Sequence, residues 1–169
     1  VLTEPLVTDL SPSNAEELIA QSDLILDGTD NLETRYLLND LSVKLNIPWI
    51  YGAAVASYGV VMPIVPERGP CFVCVYPDPP AGAQPACDVN GVLAAATASV
   101  ASLQVAIALR LLVASEPFSC QIQTLDIWTG AFHRMSAGER DPSCLVCGRR
   151  QFDYLDERRR VPVSLCGRN

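Results

Sequence analysis

The rhythm of apolar positions along this chain changes several times, and each change marks an element. Leu24-Ile25-Leu26 is a continuous apolar run closed by Asp27, the form that a buried parallel strand takes at its carboxyl end. Gly28 is the expected turn, and Asp30 or Asn31 is placed to cap a helix over residues 32–46. In that helix Leu37, Leu41 and Leu45 recur at a spacing of four, and Pro48 stops it. Residues 47–56 predict a second buried strand, Tyr58-Gly59 the turn after it, and residues 60–65 its partner strand. Upstream, residues 1–22 offer a short strand-like start and then a short helix. Ser11 or Ser13 is its expected cap, and Glu16 and Glu17 lie in its first turn.

The second half reads differently. Residues 66–89 are dense in proline and glycine and carry Cys71, Cys74 and Cys87. A loop of about 24 residues is uncommon in a compact domain unless it is functional or pinned. Residues 91–112 are rich in Ala, Leu, Val and Ile, close to the roughly 20 residues that cross a bilayer. Thr97, Ser99, Ser102, Gln104 and Arg110 interrupt that run, and its many alanines suit close packing, so a buried helix of a core or dimer interface is expected, not a membrane span. Residues 121–128 and 132–136 predict a closing hairpin through Thr129-Gly130. The tail from Arg149 is charged, with Arg158-Arg159-Arg160 expected as a solvated run. The division expected is a domain over residues 1–150 and a tail or linker toward a further domain over 151–169.

Composition narrows the classes. A length of 169 residues suits one domain with a sizeable core, and a hydrophobic share of 49% suggests a core larger than this chain covers alone. A net charge of -7 argues against a generic nucleic-acid binder. No positively charged segment precedes an apolar run at the start, so no signal peptide is read and a cytoplasmic protein is expected. Seven cysteines, with two Cys-x-x-Cys pairs among them, fit metal binding in a reducing compartment better than a disulfide framework.

Two groups of residues carry candidate chemistry. In open α/β sheets the ligand crevice lies beyond the carboxyl ends of the strands. Asp30, Asn31 and Arg35 would face it as an acid for magnesium, an amide, and a cation for phosphate. The plainer alternative makes Asp30 a helix cap and Arg35 a solvated helix residue. The second group is Cys71, Cys74, Cys144 and Cys147, two hooks about 70 residues apart that supply the four sulfurs of a tetrahedral zinc site. Four thiolates leave no open position, so the role expected is structural. A redox dithiol or an iron–sulfur cluster competes; zinc is preferred because neither hook is read as sitting at a helix N-terminus. Cys87, just before the alanine-rich helix, is either a reactive nucleophile or a spare loop cysteine. Cys120 is expected in the core, His133 as structural, and Cys166 has no assignable role.

Asp27-Gly28-Thr29-Asp30-Asn31 with Thr34-Arg35 opens a longer pattern. It continues with Gly69-Pro70-Cys71-Phe72-Val73-Cys74 to Tyr76-Pro77, then Gly91-Val92-Leu93 to Ser102-Leu103-Gln104. Asp141-Pro142-x-Cys144-x-x-Cys147 completes it. In that order the pattern resembles the ThiF/MoeB/HesA family, bacterial relatives of ubiquitin-activating enzymes, over nearly the whole chain. The resemblance implies the C-terminal half of a Rossmann-like adenylation domain, an α/β fold with a mixed sheet. It implies an adenylyltransferase that uses ATP and magnesium to attach AMP to the C-terminal glycine of a ubiquitin-like sulfur carrier of the ThiS/MoaD type. The carrier would then serve thiamine or molybdopterin biosynthesis, and a homodimer is implied as well. Asp30 matches the magnesium-binding aspartate, Asn31 and Arg35 line the same nucleotide site, and the four paired cysteines match structural zinc ligands. Cys87 matches a mobile-loop cysteine that in some members links covalently to the carrier.

No Gly-x-Gly-x-x-Gly occurs in the chain. The family's glycine-rich nucleotide loop is therefore expected upstream of Val1, and these 169 residues alone are expected to be inactive. Two rivals remain at this point: a non-catalytic zinc-stabilised module that binds a ubiquitin-like protein, and half of an NAD-dependent oxidoreductase.

Overall fold

The computed structural model describes residues 2–79, 90–113 and 119–161. Its elements in order are α1 (Ala15–Ile19), β1 (Ile25–Leu26), α2 (Leu32–Leu45), β2 (Trp49–Val55), β3 (Tyr58–Ile64), α3 (Phe72–Val75), α4 (Ala94–Val113), β4 (Gln121–Asp126) and β5 (Ala131–Ser136). The strands form one five-stranded sheet in the order β1-β2-β3-β4-β5. β1 runs parallel to β2, and the remaining pairs are antiparallel, so the sheet is mixed.

Side chains alternate across this sheet with the period of the pleat. Trp49, Tyr51, Met62 and Ile64 enter one core with α2, α3 and the cysteine segments. Ile50, Val61 and Leu125 enter a second core under α4 with Val100, Ile107 and Ala108. Helices therefore cover both faces, and β2 is buried from both sides.

α2 departs most from its pattern. Its leucines suggested one apolar stripe, yet nine consecutive residues, Arg35 to Val43, are buried. The polar ones among them earn their places through hydrogen bonds. Asn39 Oδ1 accepts from the Phe72 amide at 2.8 Å, and Asp40 Oδ2 accepts from the amides of Tyr154 and Leu155 at 2.9 and 3.1 Å. Ser42 Oγ donates to the Ile47 carbonyl at 2.6 Å. The helix ends at Asn46, which takes the left-handed conformation (φ 56) favourable at a C-cap.

Several boundaries move. The strand expected over residues 24–27 shrinks to Ile25–Leu26, with Leu26 exposed; among the described residues β2 is its one strand neighbour. The described part of residues 1–10 contains no strand, and α1 is capped at Asn14, with no side-chain cap bond from Ser11 or Ser13. The hairpin turn after β2 falls at Ala56-Ser57, where Ala56 has φ 51; Tyr58 and Gly59 already pair with Val55 and Ala54. Gly59 serves packing instead: a Cβ there would lie 2.5 Å from Val100 Cγ2 of α4.

α4 is long and apolar enough, by length and composition, to cross a membrane. Its sheet-facing side is buried at Ala96, Val100, Gln104, Ile107 and Ala108, while Val105, Leu109, Leu112 and Val113 on the other side are exposed. The closing hairpin is as expected, trimmed by two residues because the Asp126 carboxylate accepts from the Trp128 amide and the Thr129 hydroxyl to build the turn. The described part of the segment expected as a tail lies on α2, with Tyr154 and Val161 buried. Arg158, Arg159 and Arg160 are exposed, yet each pairs with an acid, Arg159 with Asp78 at 3.0 Å.

Candidate functional site

The turn after β1 is built by Asp27. Its Oδ1 accepts from the Thr29 amide at 2.8 Å and the Thr29 hydroxyl at 2.7 Å, an Asx turn. Gly28 keeps φ outside the left-handed region and has open space where a Cβ would stand, so the carboxylate, not the glycine, shapes the turn. Asp27 Oδ2 receives Arg35 Nε at 3.1 Å, in a pair whose side chains are 0% and 9% exposed. Arg35 Nη2 donates to the carbonyls of Thr29 at 2.5 Å and Gly52 at 3.1 Å, and the guanidinium lies 5.1 Å from the Tyr51 ring centre. Burial pushes the Tyr51 phenol up to about 12, so it stands beside the arginine as a neutral ring.

Beyond this buried knot the chain surfaces. Asn31 caps α2, its Oδ1 accepting from the Thr34 amide at 2.8 Å, and its Nδ2 faces Asp30 Oδ1 at 3.5 Å. The cap role therefore falls to Asn31, which leaves the Asp30 carboxylate exposed beside the start of a 14-residue helix. Free amides and the helix dipole favour anions at such a start. Asp27, Thr29, Asp30 and Arg35 line one wall of a cavity of about 640 Å³, which continues along β2 and β3 to Tyr58, Val60 and Thr124. α4 closes the other wall with Thr97, Val100, Ala101 and Gln104. An acid, an anion-favouring helix start and a trough whose lining includes Ala53, Ala54 and Ala101 thus share one space. It suits a polyanion at one end and an extended chain at the other. Asp30 and Arg35 share this cavity, whereas Cys87 lies outside the described residues. Asp27, Thr29 and Tyr51 are further site residues, signalled in the sequence only by Asp27 closing an apolar run and by Asp27 and Thr29 lying in the family-like pattern.

The second centre lies on the α2 side of the sheet. Cys71 to Cys74, Cys71 to Cys144 and Cys74 to Cys147 are 3.8, 3.7 and 3.3 Å apart at sulfur, and all four sulfurs lie within 4.8 Å of one another. A tetrahedral ion with Zn–S bonds of about 2.3 Å requires sulfur separations of about 3.8 Å. The donors present therefore fit a four-sulfur metal ion, and they are packed too closely for separate roles. Hydrogen bonding from Cys147, Cys71 and Cys74 holds the Cys144 thiol below its usual range, while hydrogen bonding with Cys144, Cys147 and Cys74 pushes Cys71 up. Contrary to the sequence reading, the first hook does open a helix, since Cys71 is the N-cap of α3; that helix is one turn of four residues. Around it pack Tyr36, Trp49, Tyr51, Phe72 and Tyr76, with Tyr154 stacked 4.7 Å from Tyr36. Cys120 is half-buried and apart from this group, and His133 is exposed on β5.

The fold of this chain is also found in solved structures of E. coli MccB. The complex described as MccB with AMPCPP and MccA aligns with a TM-score of 0.67 at 18% identity, over 85% of this chain and 45% of that one. The ThiF family model matches residues 1–146, and the chain belongs to the ThiF family. Over 97% of its length it is 37% identical to the sulfur carrier protein ThiS adenylyltransferase of Bacillus subtilis, covering 49% of that protein. It is 36% identical to the sulfur carrier protein adenylyltransferase of Thermus thermophilus, over 88% of this chain and 57% of that protein. The chain thus spans about half the length of these curated relatives.

Proposed function

We propose that the protein carrying this chain adenylates the C-terminal glycine of a ubiquitin-like sulfur carrier of the ThiS/MoaD type, using ATP and magnesium, for thiamine or molybdopterin-type cofactor synthesis. The observation that carries the reading is the exposed Asp30 carboxylate at the start of α2, on the wall of the cavity, in a chain akin to sulfur-carrier adenylyltransferases. In this reaction a carboxylate oxygen of the carrier attacks the α-phosphorus of ATP. The bond from that phosphorus to the bridging oxygen breaks, leaving an acyl-adenylate and pyrophosphate. Magnesium, when bound, offsets the charge of two anionic reactants brought together.

Asp30 is the residue we assign to the metal. Asn31 orients it and holds the first turn of α2 open toward the phosphates. Arg35 lies on the same wall beneath them, its charge paired with Asp27, and ties the turn to β2. The trough along β2 and β3 takes the carrier's tail, where small residues such as Ala53 and Ala54 leave room for an extended peptide. Cys87 is proposed to attack the acyl-adenylate as a thiolate, forming a thioester with the carrier as the bond to AMP breaks and AMP leaves. The four-cysteine site is read as structural zinc, the apolar outer side of α4 as part of a homodimer contact, and the compartment as cytoplasmic.

The test is Asp30→Ala in the full-length protein. Carrier-dependent ATP–pyrophosphate exchange is expected to fall by about a hundredfold or more. Because the side chain is exposed, the thermal midpoint should stay within about 2 °C. Unchanged exchange would overturn the assignment. A wild-type protein that binds the carrier but not Mg-ATP would overturn the whole reading in favour of a non-catalytic binding module.

A further inference from the structure

Gln104 breaks the character of its helix. The sheet-facing side of α4 is otherwise Ala96, Val100, Ile107 and Ala108, yet a primary amide lies in the middle of it, 6% exposed. Burying an amide where an aliphatic side chain would serve costs free energy unless its hydrogen bonds are made. Nε2 makes two, to the main-chain carbonyls of Asp27 and Ile50, both at 2.9 Å. The facing strand is cut back to admit it: a Cβ on Gly52 would lie 2.5 Å from Nε2 and 2.6 Å from Cδ. Two positions 52 residues apart in sequence therefore cooperate to bring one amide against the end of β1.

Asp27 is the base of the turn. Its carbonyl is held by Gln104, its amide donates to Ile50 at 3.1 Å, and its carboxylate holds both Thr29 and Arg35. We propose that Gln104 is a positioning residue for the turn that bears Asp30. By fixing the main chain at Asp27 it sets the direction of the Asx turn, so the seating of α4 on the sheet and the placement of the Asp30 carboxylate are mechanically linked. The consequence for turnover rests on the magnesium role assigned to Asp30 above; the consequence for the turn itself does not. A residue that merely fastens α4 to the sheet has the same effect as any other buried contact of that helix, whereas a positioning residue acts on residues 27–30 in particular.

The experiment compares Gln104→Met with Ile107→Ala in the full-length protein. Ile107 is buried on the same side of α4, one turn on, and does not touch Asp27 by any hydrogen bond. Two quantities are read: hydrogen exchange of the Thr29 amide, and the magnesium concentration that gives half-maximal ATP–pyrophosphate exchange. Gln104→Met is expected to speed Thr29 exchange by about tenfold or more and to raise the magnesium requirement by about tenfold. Ile107→Ala, with an equal or larger fall in melting temperature, is expected to change neither by more than about twofold. Unchanged Thr29 protection in Gln104→Met, or equal responses in both variants, overturns the proposal. If wild-type protein binds no Mg-ATP, the functional reading fails and Thr29 exchange alone still decides the positioning role. Should Gln104→Met not fold, Gly52→Ala displaces the same amide from the opposite side and carries the same two measurements.

Discussion

The two regions held by α2 are built on opposite principles. At its start, the Asp27–Arg35 knot is a set of polar groups in which each side chain has a distinct partner and small residues leave space around them. Farther along, Asn39 and Asp40 hook two chain segments into a dense ring cluster around four sulfurs. The first region owes its geometry to individual hydrogen bonds, so one substitution can misplace it. The second has many overlapping apolar contacts, so it tolerates small polar losses, but it gathers two hooks 73 residues apart and relies on them being joined. A turn that faces an open cavity is not stabilised by filling it, and this one is stabilised from beneath.

That contrast can be broken or sharpened by measurement. The largest effect is expected at the sulfur end. Cys144→Ser, or stripping the metal with a chelator, should cost about 5 kcal/mol or more, which lowers the melting temperature by roughly 10–20 °C. Metal analysis should find one zinc per chain in the wild type, and no change on chelation would break the comparison at its stronger end. Next comes Arg35→Ala, which leaves the Asp27 carboxylate buried without its cation and should destabilise by about 3–5 kcal/mol in denaturant unfolding. Adding Asp27→Ala should recover part of that loss, since the stranded charge is then gone.

The smallest effect per unit of change is a pH slope. Burial raises the Asp40 carboxyl to about 7, against the lowering influence of the Leu155 and Tyr154 amides. Between the ordinary carboxylate value and about 7 the folded chain keeps a proton that the unfolded chain has released, so stability should fall as pH rises, by at most about 1.4 kcal/mol per pH unit. Above that window both states are ionised and the slope ends. Asp40→Asn should remove this contribution, read as the difference between the two proteins' stability profiles from pH 5 to 8.

Much of this was legible in the residues. Apolar runs gave the position of every strand in the sheet, β1 being shorter than its run, and the repeated Cys-x-x-Cys spacing paired two hooks that the fold does bring together. What escaped was whatever depends on a partner far along the chain. Nothing local distinguishes Gly59 as a packing residue from Gly59 as a turn residue, because the decision lies with Val100. The leucine spacing in α2 could not reveal all-round burial, since Asn39, Asp40 and Ser42 look like solvent-facing residues until their acceptors and donors arrive from Phe72, Tyr154 and Ile47. Arg35 read as a cation for phosphate, and its buried pairing with Asp27 was invisible without the third dimension. Gln104 looked like one of several residues breaking an apolar helix, and its significance lies in two carbonyls over 50 residues upstream.

An ion seated in the sulfur knot would make this polypeptide topologically a ring. With an ion seated, the stretch from Cys74 to Cys144, which carries α4, β4 and β5, would be closed at its base. A single proteolytic cut inside that stretch would sever the backbone without releasing either piece, and the nicked molecule should keep its native mass until a chelator opens the clasp.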